Sequence, residues 1–406
     1  MNICLNMIVK DEAPIIEDCL RNVCDKLNIT DWVICDTGSS DGTQEIIKKF
    51  FEKEGINGTL YEDEWKSFSH NRTLAVQRAK GRADYIIFFD ADDRIEGEVP
   101  IPENPNKDTY YFELKGSNIT WDRIFLVRSD FDWQWVGVLH EVIAREKPGM
   151  PYTSDYIKGG YNVIPGHFGN RSQVPSHIKY GKDAEILENA YYELEAEDED
   201  IWNLLPRYAF YCGQSFRNTG NWEKTIYWYK KRTTMGGWRE EVMMSYVEAG
   251  NAYLKNGQDE MAIATWMQGY DYDNSRAECL YQIAQYYYDN GKNISAHIYA
   301  MAAKNVKYPK NDKLFVQHHV YYHKIDYILS ITTWYYNSFY GIVQNDKEII
   351  SIFKNLYKHR HHYNIANIIS NLKCYFNKTD VELMEMMGAE VYLHNDTSKI
   401  LAVNEI

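Results

Sequence analysis

The chain has 406 residues and a formal net charge of −14. That length holds two or three domains, and an ordinary apolar content lets each bury its own core. The acidic balance excludes a nucleic-acid binder, which needs a basic face, and disfavours an anionic membrane surface; a phosphorylated ligand stays open because a bound metal inverts the local field.

From the N-terminus, Ile3 to Val9 reads as a strand. Lys10-Asp11-Glu12 follow, and Pro14 marks the first turn of a helix. Ile15, Ile16, Cys19, Leu20, Val23 and Leu27 are spaced for one buried face of that helix. Trp32 to Cys35 is the next strand. It runs into Asp36-Thr37-Gly38-Ser39-Ser40-Asp41-Gly42-Thr43, a loop with a carboxylate, glycines and capping residues before a helix from Gln44 to Phe51. Leu60-Tyr61 is a weaker strand, and a helix covers Asn71 to Ala79. Tyr85 to Phe89 is an apolar, β-branched and aromatic strand of the kind buried on both faces. Strand and helix alternate. An α/β domain follows, Rossmann-like, with a mostly parallel sheet and helices on both faces.

Asp90, Asp92 and Asp93 stand at the carboxyl end of that last strand. In open α/β sheets this is where ligands bind. With one residue between them, Asp90 and Asp92 point the same way on an extended chain. Clustered carboxylates repel unless a cation or a donor network separates them. A hard divalent cation carrying a phosphorylated ligand meets that need. A solvated acidic turn is the plain alternative.

Four segments in order carry a resemblance: Asn6-Met7-Ile8-Val9-Lys10-Asp11-Glu12, Val33 to Thr43, Asn71-Arg72, and Asp90-Ala91-Asp92-Asp93. Together they resemble family 2 glycosyltransferases of the GT-A fold. Trp135-Val136-Gly137-Val138-Leu139-His140-Glu141 is similar to a segment found in part of that family. The resemblance covers roughly the first 170 residues. It implies a nucleotide-diphosphosugar donor, usually a UDP-sugar and here UDP-glucose-like, a Mn²⁺ or Mg²⁺ cofactor, and hexose transfer with inversion. It further implies that Asp36 contacts the uracil and that Arg72 lies near the base or diphosphate. Asp90 would meet the ribose or serve the metal site indirectly, and Asp92 would ligate the metal. Val9, Asp11, Glu12 and Ala91 would line the same donor site. Asp11 departs from the Asn that many members carry before the Glu.

Inversion in one displacement needs a general base on the acceptor side. Asp122, Asp130, Asp132, His140 and Glu141 follow the acidic turn and are the candidates. Trp133, Trp135, Val136, Val138 and Leu139 form an apolar, aromatic wall just before His140-Glu141, suited to a sugar face. Glu141 is the expected base, with His140 second. Ile164-Pro165-Gly166-His167-Phe168-Gly169 sets a histidine beside glycines, as related sequences do. His167 is expected to close over the diphosphate or to ligate the metal. Arg171, in a lid-like stretch from Gly166 to Ser176, is a phosphate partner.

The texture changes from about Lys179. Asp183 to Tyr192 is helical, and the acidic block from Glu193 to Asp200 is a solvated helix end and linker. Repeats follow, with turn glycines Gly220, Gly257 and Gly291 spaced 37 and 34 residues apart. That period, with small and aromatic residues at fixed offsets, resembles tetratricopeptide (TPR) repeats, whose stacked helix pairs leave a concave face for a protein, peptide or glycan acceptor, or for self-association into a homo-oligomer. The expected plan is a transferase domain over 1–178, a helical and acidic linker over 179–205, TPR-like repeats over 206–310 and a helical extension over 311–406. Helical periods there cover Tyr321 to Ile331 and Ile349 to Leu356. His359-Arg360-His361-His362 lacks ligand partners at metal spacing and reads as a solvated helix face.

The seven cysteines include no C-x-x-C pair, and several sit inside apolar runs. A reducing compartment is expected. No signal-peptide pattern and no run of membrane-spanning length appear, so the expected location is cytoplasmic. Two other functions compete. A nucleotidyltransferase wants a glycine- and lysine-rich phosphate loop after the first strand, which Lys10-Asp11-Glu12-Ala13-Pro14 is not. A TPR scaffold with an inactive transferase domain would be marked by loss of Asp36 or of the acidic cluster, and both are present.

Overall fold

A computed structural model describes residues 1–115, 120–166, 174–197, 199–310, 312, 315–389, 391–392 and 401–402. The chain divides into two units, one holding residues 1–245 with Phe315, the other residues 246–312 and the chain from Val316 onward.

The first unit begins with β1 (Ile3–Val9), α1 (Ile16–Lys26), β2 (Ile29–Asp36), α2 (Thr43–Glu54), β3 (Gly58–Glu62), α3 (Phe68–Ala79) and β4 (Tyr85–Phe88). β1 pairs in parallel with β2 and β4, and β2 with β3. The uninterrupted apolar runs of β1, β2 and β4 are buried on both faces, as such runs require. Leu5, Met7, Ile34 and Ile87 meet α1 and α2 on one face; Cys4, Val33, Cys35, Ile86 and Phe88 meet Ala75, Val76 and Ala79 of α3 on the other. α1 buries Ile16, Cys19, Leu20 and Val23, the residues whose spacing predicted that face.

The sheet then turns mixed. It continues with β5 (Arg94–Gly97), β6 (Thr109–Lys115), β7 (Thr120–Arg128), the hairpin β8 (Trp133–Val136) and β9 (Val142–Arg145), β10 (Ser154–Tyr156) and β11 (Tyr161–Ile164). The pairs β4–β7, β7–β6 and β11–β5 are antiparallel, and β6 is parallel to β10 and β11. Among the described residues the strand order is β3-β2-β1-β4-β7-β6-β11-β5, with β10 on β6 and the β8–β9 hairpin separate. β7 runs antiparallel to β4, so its start lies by the carboxyl end of β4 and its end by Tyr85. One expectation is corrected. β4 stops at Phe88, and Asp90 to Asp93 form a turn closed by the Asp93 N–H donating to the Asp90 carbonyl at 3.1 Å. The carboxylates therefore do not alternate along an extended strand.

This unit continues with α4 (Ser176–Glu197), α5 (Leu205–Thr219), α6 (Trp222–Thr233) and the start of α7 (Arg239–Lys255). α4 buries Asp183, Ala184, Leu187 and Tyr191 and leaves Glu193, Glu195 and Glu197 in solvent, so the acidic block is its solvated end. In the second unit α7 gives way to α8 (Asp259–Tyr272), α9 (Glu278–Asp289), α10 (Asn293–Lys304), α11 (Ile325–Tyr340), α12 (Asp346–Lys358), α13 (Ile365–Lys373) and α14 (Asp380–Met386). A π turn over Val320–Lys324 leads into α11. Gly220, Gly257 and Gly291 end helices at φ of 79°, 72° and 68°, left-handed values that a Cβ disfavours. The repeat period thus marks the turns of TPR-like helix pairs. No helix among the described residues is long and apolar enough to cross a membrane.

Candidate functional site

The carboxyl ends of β1, β2 and β4 bring three loops together. Asp36, the last residue of β2, is fully buried. Its Oδ1 accepts from the Gly38 N–H at 2.9 Å, the Ser39 N–H at 2.8 Å and Gln44 Nε2 at 2.9 Å. The carboxylate therefore forms the Asx turn that its sequence setting allows. Its Oδ2 is buried and has no hydrogen-bond partner among the described residues. A buried acceptor left open is uncommon and points to a donor supplied from elsewhere.

The β1 loop is stitched to the same turn. The Asp11 N–H donates to Ser39 Oγ at 2.8 Å, and Asp11 Oδ1 accepts from the Ser40 N–H at 2.8 Å. Asp11 sits at φ 54°, where an Asp is tolerated better than most residues. The Glu12 N–H donates to Thr43 Oγ1 at 2.9 Å. The Val9 carbonyl accepts from both the N–H and the hydroxyl of Thr37, at 2.9 and 3.0 Å. Val9 and Asp11 thus shape the loop around Asp36.

Arg72 is the hub on the other side. From α3 its Nη2 reaches Asp90 Oδ1 at 2.6 Å and its Nε reaches Glu141 Oε1 at 2.9 Å. Its guanidinium lies 5.1 Å from the Trp135 ring centroid. Burial works against the charge of Arg72, but Asp90 and Glu141 outweigh it and raise its pKa. α3 is fixed in turn by Thr73, whose Oγ1 accepts from the Trp135 N–H at 2.8 Å. Asn71 is buried and accepts from the Lys66 N–H at 3.0 Å, holding the approach to α3.

Arg123 of β7 went unmarked in the sequence. Its Nη1 lies 3.3 Å from Asp90 Oδ2 and its Nη2 lies 2.7 Å from Asp93 Oδ2. Burial opposes ionisation of Asp90, but Arg72 and Arg123 overcome it and hold the carboxyl well below the usual range. For Asp93 burial dominates, and with Asp90 and Asp92 nearby it pushes the carboxyl up despite Arg123. So the turn brings Asp90 and Asp93 onto one guanidinium. The donor network that separates these carboxylates is built from arginines. The signal that could have found Arg123 is a lone cation in the strand antiparallel to β4, at the end facing Asp90.

Among the described residues the guanidiniums of Arg72 and Arg123 stand against the carboxyls of Asp90, Asp93 and Glu141. Among the described residues no three His, Cys, Asp or Glu side chains converge as a metal cage. Mg²⁺-type sites are commonly held by one or two carboxylates plus substrate phosphates, so the donor set fits if Asp92 is the protein ligand. Gly166 packs on the Asp92 backbone, where a methyl would overlap the Asp92 carbonyl. His167 and Arg171 lie outside the described residues.

The other base candidates separate. Asp130 pairs with Arg128 at 2.5 Å and Asp132 with Lys80, at the end of β7 beside Tyr85 and away from Asp90. Asp122 precedes Arg123 at the near end. Glu141 is bound to Arg72 with its side chain 12% exposed. His140 is exposed, at φ 54°, with its ring stacked on Tyr211 of α5 at 3.7 Å and 6° between planes. Trp133, Val136 and Leu139 are buried. They pack the core, leaving Trp135 and Val138 as the half-buried part of the expected wall. The histidine tract is a 3-10 turn over Arg360–His362 in the second unit, its exposed His362 stacked on His323 at 4.6 Å.

Residues 4–100 match the family model described as Glycosyl transferase family 2. A TPR repeat-containing protein of Synechococcus elongatus is 35% identical over 91 residues, 22% of this chain and 20% of its own. Among solved structures, S. aureus TarS aligns over 64% of this chain and 54% of its own at 13% identity and a TM-score of 0.37. Mannosyltransferase PcManGT from Pyrobaculum calidifontis, solved in complex with GDP-Man and Mn²⁺, aligns over 66% and 86% at 12% identity and a TM-score of 0.35. The chain spans about a fifth of the length of the curated relative and about half that of TarS.

Proposed function

We propose, starting from the match of residues 4–100 to the Glycosyl transferase family 2 model, that the chain is an inverting glycosyltransferase moving a hexose from a UDP-sugar, glucose-like, to a hydroxyl on a protein or glycan. The observation that carries the reading is Asp36. One carboxylate oxygen is saturated by three donors and fixes the turn; the other is buried with no partner. A base with a ring N–H, such as uracil, supplies the missing donor.

The remaining residues take roles consistent with it. Asp11 and Glu12 order the loop that receives the nucleotide. Asp90 holds Arg72 and Arg123 in place between donor and acceptor sides. Asp92 is the proposed ligand of Mn²⁺ or Mg²⁺, which when bound neutralises charge building on the leaving diphosphate. Arg72 fixes Glu141 through Oε1, and Glu141 Oε2 is the proposed atom that accepts the proton of the acceptor hydroxyl. In that step the acceptor oxygen bonds to the anomeric carbon and the bond to the β-phosphate oxygen breaks. His140 is the second candidate base. The TPR-like pairs are the proposed platform for the acceptor.

Titration calorimetry with UDP and Mn²⁺ tests the donor half, and a screen of nucleotide-sugars for slow hydrolysis tests the chemistry without an acceptor. Binding is expected for the unsubstituted chain, weakened at least about tenfold in Asp92→Ala. No heat with UDP, or equal heat from Asp92→Ala, would sink the reading.

A further inference from the structure

The loop that carries His140 and Glu141 is gripped from two sides, and one side is helix α5. His140 sits at φ 54° and Gly137 at φ 104°. A non-glycine residue keeps a left-handed backbone only where its surroundings over-determine it. Three contacts from α5 do so. The Tyr211 ring lies against the His140 ring at 3.7 Å and 6°. Arg207 Nε donates to the His140 carbonyl at 2.7 Å. The Val138 N–H donates to the Tyr208 hydroxyl at 3.1 Å. Arg207 in turn lies 5.1 Å from the Tyr211 ring centroid, so histidine, tyrosine and guanidinium form one stack. Beneath them Val136 and Leu139 share a buried cluster with Leu187, Tyr208 and Trp228 of α4, α5 and α6. From the opposite side Arg72 of α3 fixes Glu141, the next residue after His140.

We infer that Tyr211 and Arg207 are positioning residues for the transferase site: the first TPR-like helix sets the backbone of His140 and thereby the direction of Glu141. The role rests on the transferase reading above. It makes the helical region a part of the catalytic apparatus and not only a platform for a partner. Removing the ring lets His140 relax from its left-handed conformation, and Glu141, one peptide away, loses the register that Arg72 alone does not define. The nucleotide end at Asp36 is built from β1, β2 and α2 and does not depend on this stack.

The experiment compares full-length Tyr211→Ala and Tyr211→Phe with the unsubstituted chain in two assays: UDP binding with Mn²⁺ by calorimetry, and turnover of the best nucleotide-sugar. Tyr211→Ala should lower kcat at least about tenfold while UDP affinity stays within about twofold. Tyr211→Phe keeps the stacked ring and should keep kcat within about twofold. A merely architectural tyrosine would lower melting temperature without splitting turnover from UDP binding. The inference is overturned if Tyr211→Ala turns over normally, if UDP binding falls in step with turnover, or if Tyr211→Phe is as slow as Tyr211→Ala. An unsubstituted chain that neither binds UDP nor hydrolyses any donor overturns the transferase reading itself; a functional one with an indifferent Tyr211→Ala sinks only the positioning role.

Discussion

Arg72 shows how one side chain ties the two halves of the site. Its fork spans Asp90 and Glu141, which no single ammonium reproduces. Arg72→Lys should leave one of the two carboxylates unmatched, costing about 2 kcal/mol in urea unfolding and at least about tenfold in kcat. Gly166 gives a second test. Because its Cα packs on the Asp92 carbonyl, Gly166→Ala should displace the acidic turn and weaken Mn²⁺-dependent UDP binding about tenfold by calorimetry, with Asp36 undisturbed. Asp36 and Arg72 were legible because each sits at a strand end or helix start inside an ordered motif. Arg123 was not, because its partner Asp93 is 30 residues away and only the antiparallel pairing of β4 with β7 brings them together.

At the level of elements, the helix pairs close on small residues. Gly213 of α5 faces Tyr229 of α6, and Gly250 of α7 faces Trp266 of α8. The third pair places the buried Ala284 and Ala300 at the same offsets. Trp266 Nε1 also donates to the Val247 carbonyl at 3.1 Å, so the indole cannot step aside cheaply. Gly250→Ala should destabilise the second unit by about 1–3 kcal/mol in urea unfolding, despite the better helix propensity of alanine. The same unit carries a pH signature. Burial lowers the His297 pKa to about 4, and burial with neighbouring His362, His359, His319 and Lys324 lowers that of His323 to about 3. An unfolded histidine titrates near 6.5, so the unfolded state binds more protons below that value. The stability these neutral rings contribute is full above about pH 6.5 and is lost as pH falls toward 4. Melting temperatures measured from pH 7 to pH 5 should therefore fall, and His297→Leu should flatten part of that slope.

At the scale of the molecule, the α/β domain does not finish where its motifs do. Val136 and Leu139 are buried among residues of α4, α5 and α6. A chain ending at residue 178 would expose that cluster, and it should melt lower and be cut by protease within the β8–β9 hairpin, whereas the full chain resists. The family match ends at residue 100, well before this shared core.

The sequence by itself determined the alternation of strands and helices, the ends of β1 and β2, the turn glycines of the repeats and the acidic residues at the close of β4. These follow from local causes: apolar periodicity, capping chemistry and left-handed turns act within a few residues. Tertiary structure alone decided which carboxylates share a cation. It folded Asp90 to Asp93 into a turn, set Arg123 against two of them, bound Glu141 to Arg72 and pressed Tyr211 onto His140. The contacts of Arg123, Glu141 and Tyr211 join residues 30 to 71 positions apart. Charge pairing and ring stacking act over a few ångströms of space, and no spacing along the chain encodes that distance.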